Sequence, residues 1–189
     1  MVHVPLRLRM EGDALVANWR WLAARSGRAA CGAAVKADGY GLGAAEVARR
    51  LAEAGCRDFF VATWAEAAAL QPLADGLSLS VLHGVGRDDV DLPPGVRPVL
   101  NSPEQIERWR GKGPCDVMID TGINRLGLAS AQGLEGLEIH TLMSHLACAD
   151  EDSAFNIRQR DDFAALVGRT SAQRISLANS AGIALGPDY

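Results

Sequence analysis

Several side chains able to do chemistry stand where short apolar runs give way to loops. Lys36 ends ACGAAVK (30–36), and the turn ADGYGLG (37–43), which carries Tyr40, follows at once. Arg125 lies in DTGINRLG (120–127), after CDVMID (115–120). His145 ends LEIHTLMSH (137–145), and Asn179 and Ser180 end RISLANS (174–180). Each has an ordinary structural use. Lys36 could be a solvated loop residue, Arg125 a partner for Asp120, His145 a satisfied core histidine, and Asn179–Ser180 a helix cap. Together they form a set: an amine able to make a Schiff base, a guanidinium, an imidazole, and a hydroxyl at a helix N-terminus, where anions bind. Gly39, Gly41 and Gly43 let backbone N–H groups come close to a bound group.

The elements that must position this set alternate in type. A helix is expected over DALVANWRWLAARSG (13–27), with Asp13 as its cap, a stripe of Leu15, Trp19 and Leu22, and Gly27 just past its end. Further helices are expected at 44–55, ended by Gly55, at 65–73, ended by Pro72, from Ser102 to Gly111, and at 153–168. Ser102, Pro103 and Gln105 make a cap, a first-turn proline and a capping-box glutamine. Between them stand the apolar runs 30–36, 58–63, 77–84, 97–101, 115–120, 137–145 and 174–179, about seven strand candidates. Strands alternating with helices imply a parallel sheet, since parallel neighbours need a crossover. An open doubly wound sheet and a (β/α)8 barrel both fit the pattern. Polar groups at four strand ends favour the barrel, whose C-terminal rim would gather them.

The chain of 189 residues is long enough for one domain, and 48% hydrophobic and 22% charged residues are ordinary for a globular protein. A net charge of −4 gives no basis for nucleic-acid or anionic-membrane partners. No apolar run approaches the roughly 20 residues of a membrane span. MVHVPLRLRMEGD lacks a signal-peptide core, so the cytoplasm is the expected location. Cys31, Cys56, Cys115 and Cys148 show no metal spacing and are expected to be small buried thiols, with no metal site.

A Schiff-base lysine beside an anion cradle suggests pyridoxal phosphate. AVKADGYGLG (34–43), DTGINRLG, SHLACADE (144–151) and SLANSAG (176–182) resemble, in order and spacing, motifs of bacterial alanine racemases, which are fold-type III pyridoxal-phosphate enzymes. The resemblance runs from near the N-terminus to the last residue. It implies a (β/α)8 TIM-type barrel, incomplete here at about seven of eight strands and lacking the family's C-terminal β domain. It implies an isomerase that interconverts L- and D-alanine and so supplies D-alanine for cell-wall peptidoglycan. Lys36 would hold the cofactor and take the α-proton on the D-alanine side. Tyr40 and Ser180 would bind the phosphate, and Asn179 would shape that turn. Arg125 would bond the phenolic oxygen and help position substrate, and His145 would pack on the pyridine ring.

The family's chains are about twice as long. By resemblance, a strand over 2–10 would join the absent β domain, leaving 11–189 as the barrel. The second base, a tyrosine acting across a homodimer interface, would lie in the absent half, so the 189 residues alone are expected to be inactive. The open sheet edges are expected to be sites for pairing with another chain. Met118 stands where some members carry a carbon-dioxide-modified lysine that orients the central arginine. Two alternatives remain open: a single-domain pyridoxal-phosphate carrier or homeostasis protein, and a non-catalytic remnant. Alanine is the substrate the family implies, with serine or broader specificity open.

Overall fold

The structure, a computed structural model, describes residues 8–189. Seven parallel strands form one curled sheet in sequence order. They are β1 (Ala33–Ala34), β2 (Asp58–Val61), β3 (Ser78–Val81), β4 (Val96–Leu100), β5 (Pro114–Met118), β6 (Glu138–Met143) and β7 (Arg174–Ser176). The helices are α1 (Gly12–Arg25), a single turn α2 (Lys36–Tyr40), α3 (Ala44–Ala54), α4 (Trp64–Leu70), α5 (Pro103–Trp109), α6 (Ala154–Val167) and α7 (Ser180–Leu185). All seven expected strands exist; β4 is as long as its apolar run but begins one residue earlier, and each of the others is shorter than its run. The expected strand over 2–10 lies for the most part outside the described residues.

Some local expectations need correction. Asp13 does not cap α1: Glu11 holds that position without a side-chain bond, and Asp13 sits in the first turn, where its charge faces the positive end of the helix dipole. Helix α4 stops at Leu70, and Pro72 lies in the 3-10 turn that follows. The capping box belongs to α4, through Thr63 and Glu66. At α5, Ser102 caps as expected, but Gln105 reaches elsewhere. Its Oε1 accepts from Asn101 N–H at 2.8 Å and its Nε2 donates to the His83 carbonyl at 2.9 Å, tying β4 to the end of β3. Helix α5 ends at Trp109, before Gly111. Cys56 and Cys115 are buried, with thiol pKa pushed by burial up to about 12; Cys31 and Cys148 are only half-buried.

Outward strand residues pack under the helices. Phe59, Val61, Leu79 and Val81 meet Val47, Ala48 and Leu51 of α3 and Ala67 and Leu70 of α4. Cys115, Val117, Ile139 and Leu142 meet Ile106 and Trp109 of α5 and Phe163 of α6. Trp64 and Trp109 stack between α4 and α5 at 6.4 Å.

The inner face is layered. At the N-terminal end of the strands lies a polar cluster. Asp116, buried on β5, accepts from Ser80 at 2.6 Å and pairs with Arg97 at 3.3 Å, and Arg97 also donates to Ser78 at 2.7 Å. Pairing between β5 and β6 slips here, so that Cys115 faces Ile139 but Asp116 faces Thr141. The skipped residue, His140, has its Nδ1 3.6 Å from Asp116. Burial and then the charge of Arg97 hold the His140 pKa below its ordinary value, against the pull of Asp116. Arg174 of β7 reaches across to Asp58 of β2 at 2.8 and 3.1 Å, joining the two sides of the curl. Burial raises the Asp58 carboxyl, but Arg174 brings it below its usual range. Two residues further along each strand, Phe60, Leu82, Val99, Met118 and Met143 form an apolar floor. Strand β7 and its Ile175 are exposed, so the far edge of the sheet is open among the described residues.

Removing one partner of a buried ion pair strands the other. Asp116→Ala is therefore expected to lower the unfolding free energy by about 3 kcal/mol in urea. Asp161→Ala, which breaks an exposed pair with Arg160, should change it by less than about 1 kcal/mol.

Candidate functional site

Above the apolar floor the strands open into a cavity of about 670 Å³. Lys36 enters it from an unusual backbone. Val35 donates to the Phe60 carbonyl at 2.8 Å, which ends β1 against β2. The chain then turns left-handed, with φ of 51° at Ala37, 51° at Asp38, 64° at Gly39 and 57° at Tyr40. Gly41 N–H closes the turn on the Ala37 carbonyl at 2.9 Å. A glycine-rich loop is thus one turn of left-handed helix. Only Gly39 takes this form freely; each other residue costs about 1–2 kcal/mol. A Cβ at Gly39 would also lie 3.2 Å from the backbone of Ala44, so α3 seats against it. Carboxylates hold the turn: Asp38 Oδ1 accepts from Ala44 N–H at 2.8 Å, and Glu66 Oε1 from Ala37 N–H at 2.9 Å. Tyr40 lines the cavity but is 64% exposed, its ring centroid 6.0 Å from Lys36 Nζ.

Arg125 sits on a loop that fixes its own shape. Asp120 Oδ1 accepts from Gly122 N–H at 2.8 Å and Asn124 N–H at 3.1 Å, and Leu128 returns to pair with Met118 and Asp120. Gly127, at φ 123°, lets the chain pass so close that a Cβ would stand 2.7 Å from Asp120 N. Asp120 therefore shapes the loop, and it does not pair with Arg125. The Arg125 side chain makes no ion pair or hydrogen bond among the described residues. Met118 lies in the floor beneath the cavity.

His145 follows β6. Its segment is anchored by Gln159 of α6, which is fully buried. Gln159 Nε2 donates to the His145 carbonyl at 3.1 Å and to Thr121 Oγ1 at 3.2 Å, while its Oε1 accepts from Ala147 N–H at 2.8 Å. One amide thus joins the loops that carry Arg125 and His145. Burial first, then the charges of Arg125 and Lys36, holds the His145 pKa below its ordinary value, so the ring is neutral at pH 7.

Asn179 and Ser180 lie where β7 passes into α7. Asn179 caps that helix, accepting from Gly182 N–H at 2.8 Å, and Ser180 is exposed beside it. Both line the cavity, with Lys36, Tyr40, Arg125 and His145. Reading single residues missed two contributors. His83 lines the cavity just past β3, and its place at the end of LSLSVLHG is the signal that singled out His145. Cys31 also lines it, and only its place in the run before Lys36 hinted at that. No aspartate or glutamate lines the cavity among the described residues. Cationic and neutral donors over an apolar floor of Phe60, Leu82, Met118 and Met143 suit a flat ring bearing an anionic group. The residues present fit a phosphorylated pyridine aldehyde such as pyridoxal phosphate, with Lys36 the one amine on the wall among the described residues.

Comparison with known proteins agrees with this fit. The family model described as "Alanine racemase, N-terminal domain" matches residues 11–189. An alanine racemase of Acidiphilium cryptum is 42% identical over 96% of this chain and 56% of its own length. A biosynthetic alanine racemase of Agrobacterium fabrum is 41% identical over 99% of this chain and 52% of its own. The crystal structure of alanine racemase from Bartonella henselae with covalently bound pyridoxal phosphate superposes with a TM-score of 0.89 at 35% identity, covering 95% of this chain and 58% of that one. The chain therefore spans about half the length of the curated relatives it matches.

A histidine held neutral in the fold makes stability fall as pH drops. Its unfolded form takes up a proton near pH 6.5 while the folded form resists. From about pH 7.5 to about 5.5 the unfolding free energy should decline less steeply in His145→Gln than in the parent. Urea titrations across that range check the sign; an unchanged or steeper decline would contradict it.

Proposed function

The chain belongs to the alanine racemase family, and from that membership we propose that it forms the cofactor-binding barrel of an enzyme that interconverts L- and D-alanine. Residues 11–189 are read as the barrel and residues 1–10 as a strand of a second domain. The observation that carries the reading is the convergence of Lys36, Tyr40, Arg125, His145, Asn179 and Ser180 on one cavity that no carboxylate of the described residues lines.

Pyridoxal phosphate, when bound, would supply an electron-withdrawing ring that acidifies the α-carbon of an attached amino acid. The rest is the work of the protein's own groups. Lys36 would hold the cofactor through its amine and, once released by substrate, take or return the α-proton. Its seat on a strained but carboxylate-anchored turn would keep Nζ near the reacting carbon at little entropic cost. Arg125, without a hydrogen-bond or ion-pair partner among the described residues, would be available to the ring's phenolic oxygen and the substrate carboxylate. His145, neutral at pH 7, would lie against the ring without adding a charge. Ser180 and Tyr40 would receive the phosphate beside the Asn179 cap. The apolar floor would exclude water from the underside of the cavity.

A racemase needs a proton-handling group on each face of a planar carbon. Lys36 would serve one face, and the other would be served from the remaining half of the family's length, in a homodimer. The expected substrate is a small amino acid, alanine in the first instance, and the expected setting is the cytoplasm. No helix among the described residues is long and apolar enough to cross a membrane.

Mixing the chain with pyridoxal phosphate should produce a visible absorbance band that Lys36→Ala lacks. Borohydride reduction followed by peptide mass mapping should place the label on Lys36. Joined to the family's second half, the parent should racemise alanine, and Lys36→Ala should lose about 10³-fold or more in rate. Undiminished turnover in that variant would overturn the assignment.

A further inference from the structure

We propose that Glu66 is a positioning residue for Lys36, a role that rests on the reading of Lys36 as the cofactor lysine. Glu66 lies at the start of α4, and its place there looks like ordinary helix capping. Thr63 Oγ1 accepts from Glu66 N–H at 3.3 Å, and Glu66 Oε2 accepts from Thr63 N–H at 3.3 Å. The carboxylate does more than this. Oε2 also accepts from Ala62 N–H at 2.6 Å, at the end of β2. Oε1, which the cap does not use, points away from α4 to accept from Ala37 N–H at 2.9 Å.

Ala37 is the residue after Lys36 and the first left-handed residue of α2. Left alone, it would fall back to a right-handed or extended conformation and swing Lys36 with it. Glu66 bonds the amide on the C-terminal side of Lys36, while Val35 fixes the N-terminal side through the Phe60 carbonyl. The lysine is thus clamped at both neighbouring residues to the same strand, β2, and the loop that follows it. Asp38 secures the far end of the turn to α3. Among the described residues, Glu66 is the side chain that ties the Lys36 end of the turn to a different βα unit, beside the backbone bond from Val35 to Phe60. A carboxylate suits the task because its two oxygens serve two separate elements at once. A charge-assisted bond is also about twice as strong as a neutral one.

The cap and the clamp can be separated, because Thr63→Ala removes the cap's side-chain acceptor and leaves Oε1 on Ala37. Glu66→Ala removes both. In the full chain, amide hydrogen exchange at Ala37 should speed up about tenfold or more in Glu66→Ala and stay within about twofold of the parent in Thr63→Ala. With pyridoxal phosphate added, the pH profile of the Lys36-dependent visible band should shift in Glu66→Ala and remain in place in Thr63→Ala. Unchanged Ala37 exchange in Glu66→Ala would overturn the proposal. So would equal effects of the two variants, which would reduce Glu66 to a helix cap. If the parent takes up no pyridoxal phosphate, the functional reading of the cavity fails. The exchange comparison at Ala37 still decides whether Glu66 holds the turn.

Discussion

The curl of the sheet depends on what Asp116 does inside it. Parallel strands buried on both faces usually show near-continuous apolar runs. Here the inner face carries Ser78, Ser80, Arg97, Asp116, His140 and Arg174, and Asp116 is the group around which they assemble. A buried carboxylate is costly unless its oxygens are filled. Filling them draws a serine from β3 and an arginine from β4 toward β5, with His140 of β6 close by and bonded to Thr141. The strands are therefore held by side chains across the interior as well as by their ladders. The pair between Arg174 and Asp58 extends this to the two sides of the open sheet.

The rim repeats the logic at a smaller scale. Lys36, Arg125 and His145 are not positioned by their own segments alone. Lys36 stands on a turn tied to α3 and α4. The loop of Arg125 is shaped by Asp120 and linked by Gln159 to the segment of His145. The anchoring groups are acceptors or amides satisfied by backbone N–H and C=O, which fixes direction as well as distance. The side chains of Lys36, Arg125 and His145 are thereby left without hydrogen bonds or ion pairs among the described residues, as a binding site requires.

Much of this was legible in the residues. The alternation of apolar runs and helical stripes carried the parallel architecture, and polar groups at strand ends marked the rim. The left-handed turn was half legible: Gly39, Gly41 and Gly43 advertised unusual backbone, but Ala37, Asp38 and Tyr40 adopt it against their own preference. Only contacts with distant Glu66 and with Ala44 reveal why they do. The inner cluster was not legible. Nothing in the pattern of residues singles out Asp116 or Arg97, since the face a strand residue occupies depends on register. The slip at His140 shifts that register by one. Asp13 failed as a cap for a local reason: α1 begins at Gly12, which places Asp13 inside the first turn.

The floor of Phe60, Leu82, Val99, Met118 and Met143 has a consequence for traffic. These side chains offer no hydrogen-bonding group apart from weakly accepting thioethers. They interrupt any wire of polar atoms or water that might run along the barrel axis between the Asp116 cluster and the cavity. The vessel is stoppered at one end. A proton or a water molecule bound for Lys36 cannot come up through this floor; it has to arrive over the rim or past the open edge of the sheet beside β7.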